Sequence, residues 1–332
     1  MSFESIRGQE RALEFLRSVL RNGRVPSAFL FHGPHHLGKR SAALAFAMAL
    51  NCTGPGEQGQ PRLRGCLVCP SCRKISEELH PDVETVSPKG RDIRIDQIRE
   101  VQETLGLIPF EARKRVIVVS QAERMNLQAA NAFLKTLEEP PGDTLIILCA
   151  ENPGRLLETI RSRCLPVRFS LLGEQTLREL LAVNEGLEGP ALEFAVRFSQ
   201  GRVRPELCSR AAHLMQVRDE MTLAMDGLQR PMFGQVSASF ARWAGSDDWR
   251  FVLEWLESWF RDLALLGQGA SRESLVNSDK QEFLDRAVRR FTPAAARRCH
   301  RRVLDTREAM VAWNANKALA LESLWLGFRE LA

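Results

Sequence analysis

The sequence predicts an α/β domain built on a parallel sheet, followed by helices to the end of the chain. Three observations predict it. Short, wholly apolar runs alternate with helical patterns as far as Phe169, the order that builds a parallel sheet. A Gly-containing turn, Gly33–Ser41, joins the first apolar run to a helical stretch. Beyond Phe169 the strand signal stops and helical periodicity takes over.

The elements follow in order. Residues 1–25 read as a helix, because Ala12, Leu13, Phe15, Leu16, Val19 and Leu20 recur at helical spacing. Ala28-Phe29-Leu30-Phe31, between Pro26 and Gly33, has the unbroken apolar character of a buried parallel strand. Arg40 to Leu50 is helical. Residues 51–73 are rich in Gly, Pro and Cys and form an insertion. Arg94–Leu105 is a helix with Asp96 as its expected cap. Arg115–Val119 and Thr144–Cys149 are further strands, and between them Asn126–Glu139 is a helix stopped by Pro140-Pro141. Leu156–Arg161 is a short helix, and Leu165–Phe169 an edge strand. The expected domains are 1–169 with the insertion at 51–73, a small helical domain at 170–213, and a helical domain at 214–332.

Composition excludes several classes. The chain has 332 residues, 44% apolar and 26% charged, with a net charge of +5. These are values of an ordinary soluble protein, neither disordered nor collagen-like. No apolar run reaches the ~18 residues a membrane span needs, and Met1–Arg7 lacks a signal-peptide layout. A cytoplasmic location with no membrane contact is expected. Arg outnumbers Lys 39 to 7.

Gly33-Pro34-His35-His36-Leu37-Gly38-Lys39-Arg40-Ser41 follows the phosphate-loop pattern G-x-x-x-x-G-K-[ST] up to its last position. Gly33, Gly38 and Lys39 are the candidate phosphate-binding residues: glycines let backbone amides turn toward a phosphate, and Lys39 adds charge. The hydroxyl that should hold Mg²⁺ is replaced by Arg40. Ser41 lies about 100° further around the helix. At the end of the next core strand an acidic pair should polarise the attacking water, but Ser120-Gln121 stand there. Glu123 follows in the turn, where solvation or local capping is its expected role. Two independent losses predict a nucleotide-hydrolysis fold without hydrolysis. Whether the loop still holds a nucleotide stays open.

Four of the eight cysteines, Cys52, Cys66, Cys69 and Cys72, are spaced C-x13-C-x2-C-x2-C. Thiolates bind Zn²⁺ tetrahedrally, and two-residue gaps suit a tight metal knuckle. Four ligands close the coordination sphere, so the ion's role is structural. Pro55, Gly56, Gly59, Pro61, Gly65 and Pro70 offer no core, which fits metal-dependent order. An iron–sulfur cluster competes, but the further C-x3-C-P run is absent after Cys72. Cys149, Cys164, Cys208 and Cys299 are expected to be ordinary buried residues.

Together these features resemble the delta-prime subunits of the bacterial DNA polymerase III clamp loader, within the AAA+ clamp-loader family. The resemblance covers most of residues 5–170. It is carried by Gly8-Gln9-Glu10, the loop Gly33–Ser41, the four-Cys insertion, His80-Pro81-Asp82 and Ile95–Arg99. It continues through Ala130–Pro141 and Thr159-Ile160-Arg161-Ser162-Arg163-Cys164. Over the C-terminal third it is weaker, resting on Trp313-Asn314-Ala315-Asn316 and the leucines after it. The resemblance implies an AAA+ phosphate-loop domain, a helical lid domain and a helical collar. It implies a non-motor subunit of a polymerase holoenzyme, with no ATPase activity of its own. Its implied partners are gamma/tau and delta subunits and, through the complex, the sliding clamp and primed DNA. Ser162-Arg163-Cys164 is where the family places an arginine finger, so Arg163 would reach ATP on the adjacent subunit. Arg204, in Gly201–Arg204, stands where related ATPases keep a second sensing arginine, although a surface role is the simpler expectation.

Three rival functions remain. A gamma/tau-like motor would need an intact acidic pair. A redox protein would need iron. A zinc-containing nucleic-acid-binding protein would use the stretch Arg286, Arg289, Arg290, Arg297, Arg298, Arg301 and Arg302. That stretch lacks interleaved aromatics, and an ion-pairing face is the expectation for it.

Overall fold

The structure, a computed structural model, describes residues 2–54, 63–106, 108–228 and 233–332. Pro55, Gly56, Gly59 and Pro61 of the insertion lie outside the described residues. The chain divides into two compact units. The first is Met1–Leu180 with Gly201–Val203, and the second is Leu181–Gln200 with Arg204–Ala332. Among the described residues no helix is long and apolar enough to cross a membrane.

The first unit contains the predicted parallel sheet. Its strands are β1 (Ala28–His32), β2 (Val83–Val86), β3 (Arg115–Ser120), β4 (Thr144–Ala150) and β5 (Leu165–Arg168). They lie in the order β2-β3-β4-β1-β5, and each neighbouring pair is parallel. Side chains alternate between the two faces of a strand, and both faces here are covered. Leu30, Ile117, Val119, Ile146 and Leu148 point into one core, packed with Phe133, Leu137, Ile98 and Val101. Those four come from helices α4 (Ile95–Leu105) and α5 (Leu127–Glu138). On the other face Phe29 meets Phe46 of α2 (Lys39–Asn51), with ring centroids 5.6 Å apart, and Phe31 meets Phe169 at 5.4 Å. Burial on both faces is why β1, β3 and β4 read as continuous apolar runs.

The structure corrects the sequence reading at four places. The first helix, α1, runs Glu10–Asn22, not 1–25, because the chain turns at Gly8 in the left-handed region (φ 72°). Strand β2 was not foreseen. Its Val-Glu-Thr-Val is short and buried only at its two valines, as suits a sheet edge. A short helix α3 (Pro70–Ser76) begins inside the insertion and runs past its end, with Pro70 in its first turn. Arg94 rather than Asp96 is the N-cap of α4, and the Gln97 side chain accepts from the Arg94 amide at 3.2 Å.

Among its described residues the second unit contains helices and no strand. Its core is aromatic: Trp243, Trp255, Trp259 and Phe260 are fully buried. Helix α7 (Asp248–Leu266) packs on α8 (Pro293–Ala312), and α8 on α9 (Lys317–Leu331). Trp313–Asn316 forms the link between α8 and α9, where the Asn316 side chain caps α9 by accepting from the Leu319 amide at 3.1 Å.

Candidate functional site

The phosphate-loop cleft lies at the carboxyl ends of β1, β3 and β4, where ligands of open parallel sheets bind. Its volume is roughly 390 Å³, and its lining includes Gly38, Lys39, Ser120, Gln121 and Glu151. The three predicted loop residues behave differently from one another. Gly33 is required by packing: at φ 140° it lies against the backbone of Phe169, just after β5, and a methyl group there would overlap the Phe169 carbonyl oxygen. Gly38 opens α2. Lys39 is only 8% exposed, and its ammonium donates to the carbonyls of Gly33 at 2.5 Å and Pro34 at 2.6 Å. Burial lowers its pKa from the ordinary lysine value, against the opposing pull of Cys149, Glu123 and Glu151. The lysine is thus engaged by its own loop. Arg40, in place of the Mg²⁺-binding hydroxyl, turns away to an ion pair with Glu78.

Glu123 is not the solvated or locally capping residue that the sequence led us to expect; it reaches across to the segment after β4. Its Oε1 accepts from the Glu151 amide, beyond β4, at 3.1 Å. The Glu151 carboxylate in turn pairs with His35 Nε2 at 3.0 Å. His35, Glu123 and Glu151 come from the ends of three strands. Neither His35 nor Glu151 stands out in the sequence. The available signal was their position after β1 and β4, on either side of the crevice.

The four predicted cysteines converge. Their sulfurs lie within 4.8 Å of one another, with Cys52, Cys69 and Cys72 buried. Cys52 Sγ and Cys69 Sγ are 4.0 Å apart. Sulfurs bound at ~2.3 Å around a tetrahedral ion stand ~3.8 Å apart, so the set is of metal-binding size and far too open for disulfides. Backbone amides support the sulfurs: Cys66 N donates to Cys52 Sγ (3.4 Å), Cys69 N to Cys66 Sγ (3.3 Å) and Cys72 N to Cys69 Sγ (3.4 Å). Glycines make the room. A Cβ at Gly54 would stand 2.6 Å from Cys66 Sγ, and one at Gly65 3.1 Å from Cys72 Sγ. Burial opposes ionisation at Cys69, yet hydrogen bonds from Cys72 and Thr53 outweigh it and pull that thiol down. At Cys72 burial and the neighbouring thiols push the pKa up. The cluster can hold one metal ion, and four donors leave no open position for catalysis. The other four cysteines are buried as expected; burial pushes Cys149, Cys164 and Cys299 up to about 12, leaving them unreactive.

Arg163 follows the short helix α6 (Glu158–Arg161). Its Nη2 meets Glu138 Oε1 at 2.5 Å, and its Nη1 donates to the Thr159 carbonyl at 2.8 Å. Glu138 ends α5, so the arginine is tied to the helix before Pro140-Pro141. Its side chain is 35% exposed.

Comparison with known proteins places this arrangement. Residues 8–172 match the family described as DNA polymerase III, delta subunit, and residues 238–330 match its C-terminal counterpart. DNA polymerase III subunit delta' of Pseudomonas aeruginosa is 33% identical over 262 residues, covering 76% of this chain and 74% of that one. The chain belongs to the DNA polymerase III delta-prime family. A gamma/tau subunit from Mycobacterium tuberculosis is also similar, at 32% identity over 80% of this chain. The chain spans only 49% of that relative's length. Among solved structures, a gamma subunit-related protein of Thermotoga maritima shares the fold. Its TM-score is 0.50 at 20% identity, covering 96% of this chain and 99% of that one.

Two further arginine expectations concern the second unit of this delta-prime family chain. Arg204 is only partly exposed. It clamps Glu254 with both terminal nitrogens, Nη2 to Oε2 at 2.8 Å. In the basic stretch, Arg286 and Arg290 both bind Asp226, at 2.8 and 2.9 Å, and Arg302 faces Glu330 at 3.6 Å. The Arg286 guanidinium holds the Asp226 carboxyl below its usual range. These three serve internal ion pairing.

Proposed function

We propose that this chain is the non-motor, stator-like member of a replicative clamp loader, working beside gamma/tau and delta subunits in the cytoplasm to place the sliding clamp on primed DNA. In this proposal it supplies Arg163 in trans to ATP held by a neighbouring gamma/tau subunit. Residues 1–169 form the AAA+ domain, 170–213 the lid and 214–332 the collar. Cys52, Cys66, Cys69 and Cys72 hold a structural Zn²⁺. When bound, that ion cross-links the insertion and takes no part in chemistry.

The observation that carries the non-motor role is the state of the phosphate-loop cleft. Lys39 is occupied by the carbonyls of Gly33 and Pro34, Arg40 by Glu78, and the end of β3 offers Ser120-Gln121 in place of carboxylates. Without the metal hydroxyl and the acidic pair, the cleft lacks the groups that stabilise charge on a transferring phosphoryl group. The similarity to gamma/tau subunits favours a motor as the second reading, and the same cleft weighs against it.

For Arg163 the support is its position after α6, its partial exposure, and the modest strength of its tether. An exposed ion pair such as Arg163–Glu138 contributes ~0–1 kcal/mol, little against the ~10³–10⁵ in rate that an arginine finger supplies in small GTPases. The test is reconstitution with gamma/tau, delta, clamp and primed DNA. Arg163→Ala should leave assembly intact, lower DNA-stimulated ATP hydrolysis partially, because one site in the ring loses its finger, and impair loading. Arg163→Lys should not rescue, because a point charge lacks the planar fork. Wild-type loading and hydrolysis by the Ala variant would leave this chain a scaffold only.

A further inference from the structure

The phosphate-loop cleft carries a second, unassigned cluster of metal-ligating groups. His35 in the loop, Glu123 after β3 and Glu151 after β4 each present one ligand atom, and these atoms lie within 4.8 Å of one another. We propose that His35, Glu123 and Glu151 bind a divalent cation of the Mn²⁺ class at the mouth of this cleft.

The partnering of Glu123 points to a cation. Its Oε1 is committed to the Glu151 amide, whereas its Oε2 is buried and has no hydrogen-bond partner among the described residues. A buried carboxylate oxygen without a partner is costly, and a cation is the partner that repays it most fully. His35 Nε2 already faces Glu151 Oε2 at 3.0 Å. Ligands on opposite sides of an ion bound at ~2.1 Å stand ~4.2 Å apart, so small side-chain rotations close the set. The charge balance is favourable. Lys39 is the competing cation near these carboxylates, and one ammonium against two carboxylates leaves a net charge of one negative. One imidazole and two carboxylates suit Mn²⁺ over a thiophilic ion. The three ligands belong to three separate strand ends, so a bound ion would fasten the loop to the rest of the crevice. This site does not depend on the Cys cluster or on the non-motor role, and its ligands are not those of a Mg²⁺–nucleotide site.

The test is Mn²⁺ titration of the full, reduced chain supplied with one equivalent of zinc, followed by the loss of the free Mn²⁺ electron paramagnetic resonance signal. The expected result is one saturable Mn²⁺ per chain. Glu123→Gln and His35→Gln should each weaken it about tenfold or more, a loss at least as large as that from removing an outer-shell partner. A nitrogen coupling to bound Mn²⁺ should be present in wild type and lost in His35→Gln. His35 is exposed on its loop, so that variant tests the site even if Glu123→Gln destabilises the fold. Absence of saturable binding, or binding unchanged by His35→Gln, would overturn the proposal.

Discussion

Asp82→Asn should destabilise the first unit by about 3–5 kcal/mol, the scale for breaking a buried ion pair from one side. The Asp82 side chain is fully buried. Its Oδ1 accepts from the Phe110 amide at 2.9 Å, and its Oδ2 from the amides of Glu111 and Ala112 at 2.8 and 2.9 Å. Arg115 Nη2 adds a contact to Oδ1 at 2.9 Å, and its other terminal nitrogen reaches the Thr104 carbonyl. Asparagine keeps one acceptor oxygen but turns an NH₂ toward amides that can only donate. Arg115 then keeps its buried charge without a carboxylate. In a unit of this size each kcal/mol moves the unfolding midpoint by ~2–4 °C, so the midpoint should fall on the order of 10 °C. Burial works against ionisation of Asp82, but the Glu111 amide, Arg115 and the amides of Phe110 and Ala112 prevail and hold the carboxyl well below the usual range. Because the folded pKa is depressed, the stabilisation is complete above the ordinary carboxylate value of ~3.9. It is lost as pH falls through the folded pKa. Thermal unfolding of both proteins from pH 7 downward should therefore show a gap that is constant to about pH 5 and shrinks below about pH 4. Adding Arg115→Met to the variant should recover part of the loss, since both charges are then gone. A gap under 1 kcal/mol at pH 7, or one that widens in acid, would refute the account.

Cys69→Ser should remove a bound zinc measured by elemental analysis and speed hydrogen exchange in residues 63–76, with no catalytic step gained or lost; iron in the wild-type protein would contradict the zinc assignment. The isolated chain should release no phosphate from Mg²⁺–ATP, and hydrolysis that disappears in Lys39→Ala would restore the motor reading. Glu138→Gln should change stability by less than about 1 kcal/mol, because the Arg163–Glu138 pair is partly exposed; a larger loss in chemical denaturation would show that the pair serves the fold instead. Gly33→Ala should destabilise the unit well beyond an ordinary glycine replacement, since the methyl meets the Phe169 backbone; unchanged unfolding would show that the strand can yield there.

Local chemistry made much of this molecule legible. A strand buried on both faces must be apolar along its length, so β1, β3 and β4 could be read directly. The Cys spacing was legible for the same reason, because a metal knuckle is closed by nearby residues. Strand β2 escaped because an edge strand buries only Val83 and Val86 and leaves no distinctive run. Helix α3 escaped because its order depends on the cluster that surrounds it, with Cys69 both a candidate ligand and the cap of the helix.

By itself the sequence determined the parallel α/β class, the cysteine set and the loss of the hydrolytic groups at Arg40 and Ser120-Gln121. These depend on residue type at positions close along the chain. Only the tertiary structure decided that Lys39 is held by its own loop, that Arg204 clamps Glu254, and that Arg163 is tied to Glu138. It also decided that Asp82 gathers the amides of residues 110–112, and that His35, Glu123 and Glu151 meet. For the meeting of His35, Glu123 and Glu151 the physical reason is the strand order β2-β3-β4-β1-β5. It sets β1 between β4 and β5, bringing together strand ends that lie more than a hundred residues apart in sequence. No local pattern encodes which side chains such a crossing will bring face to face.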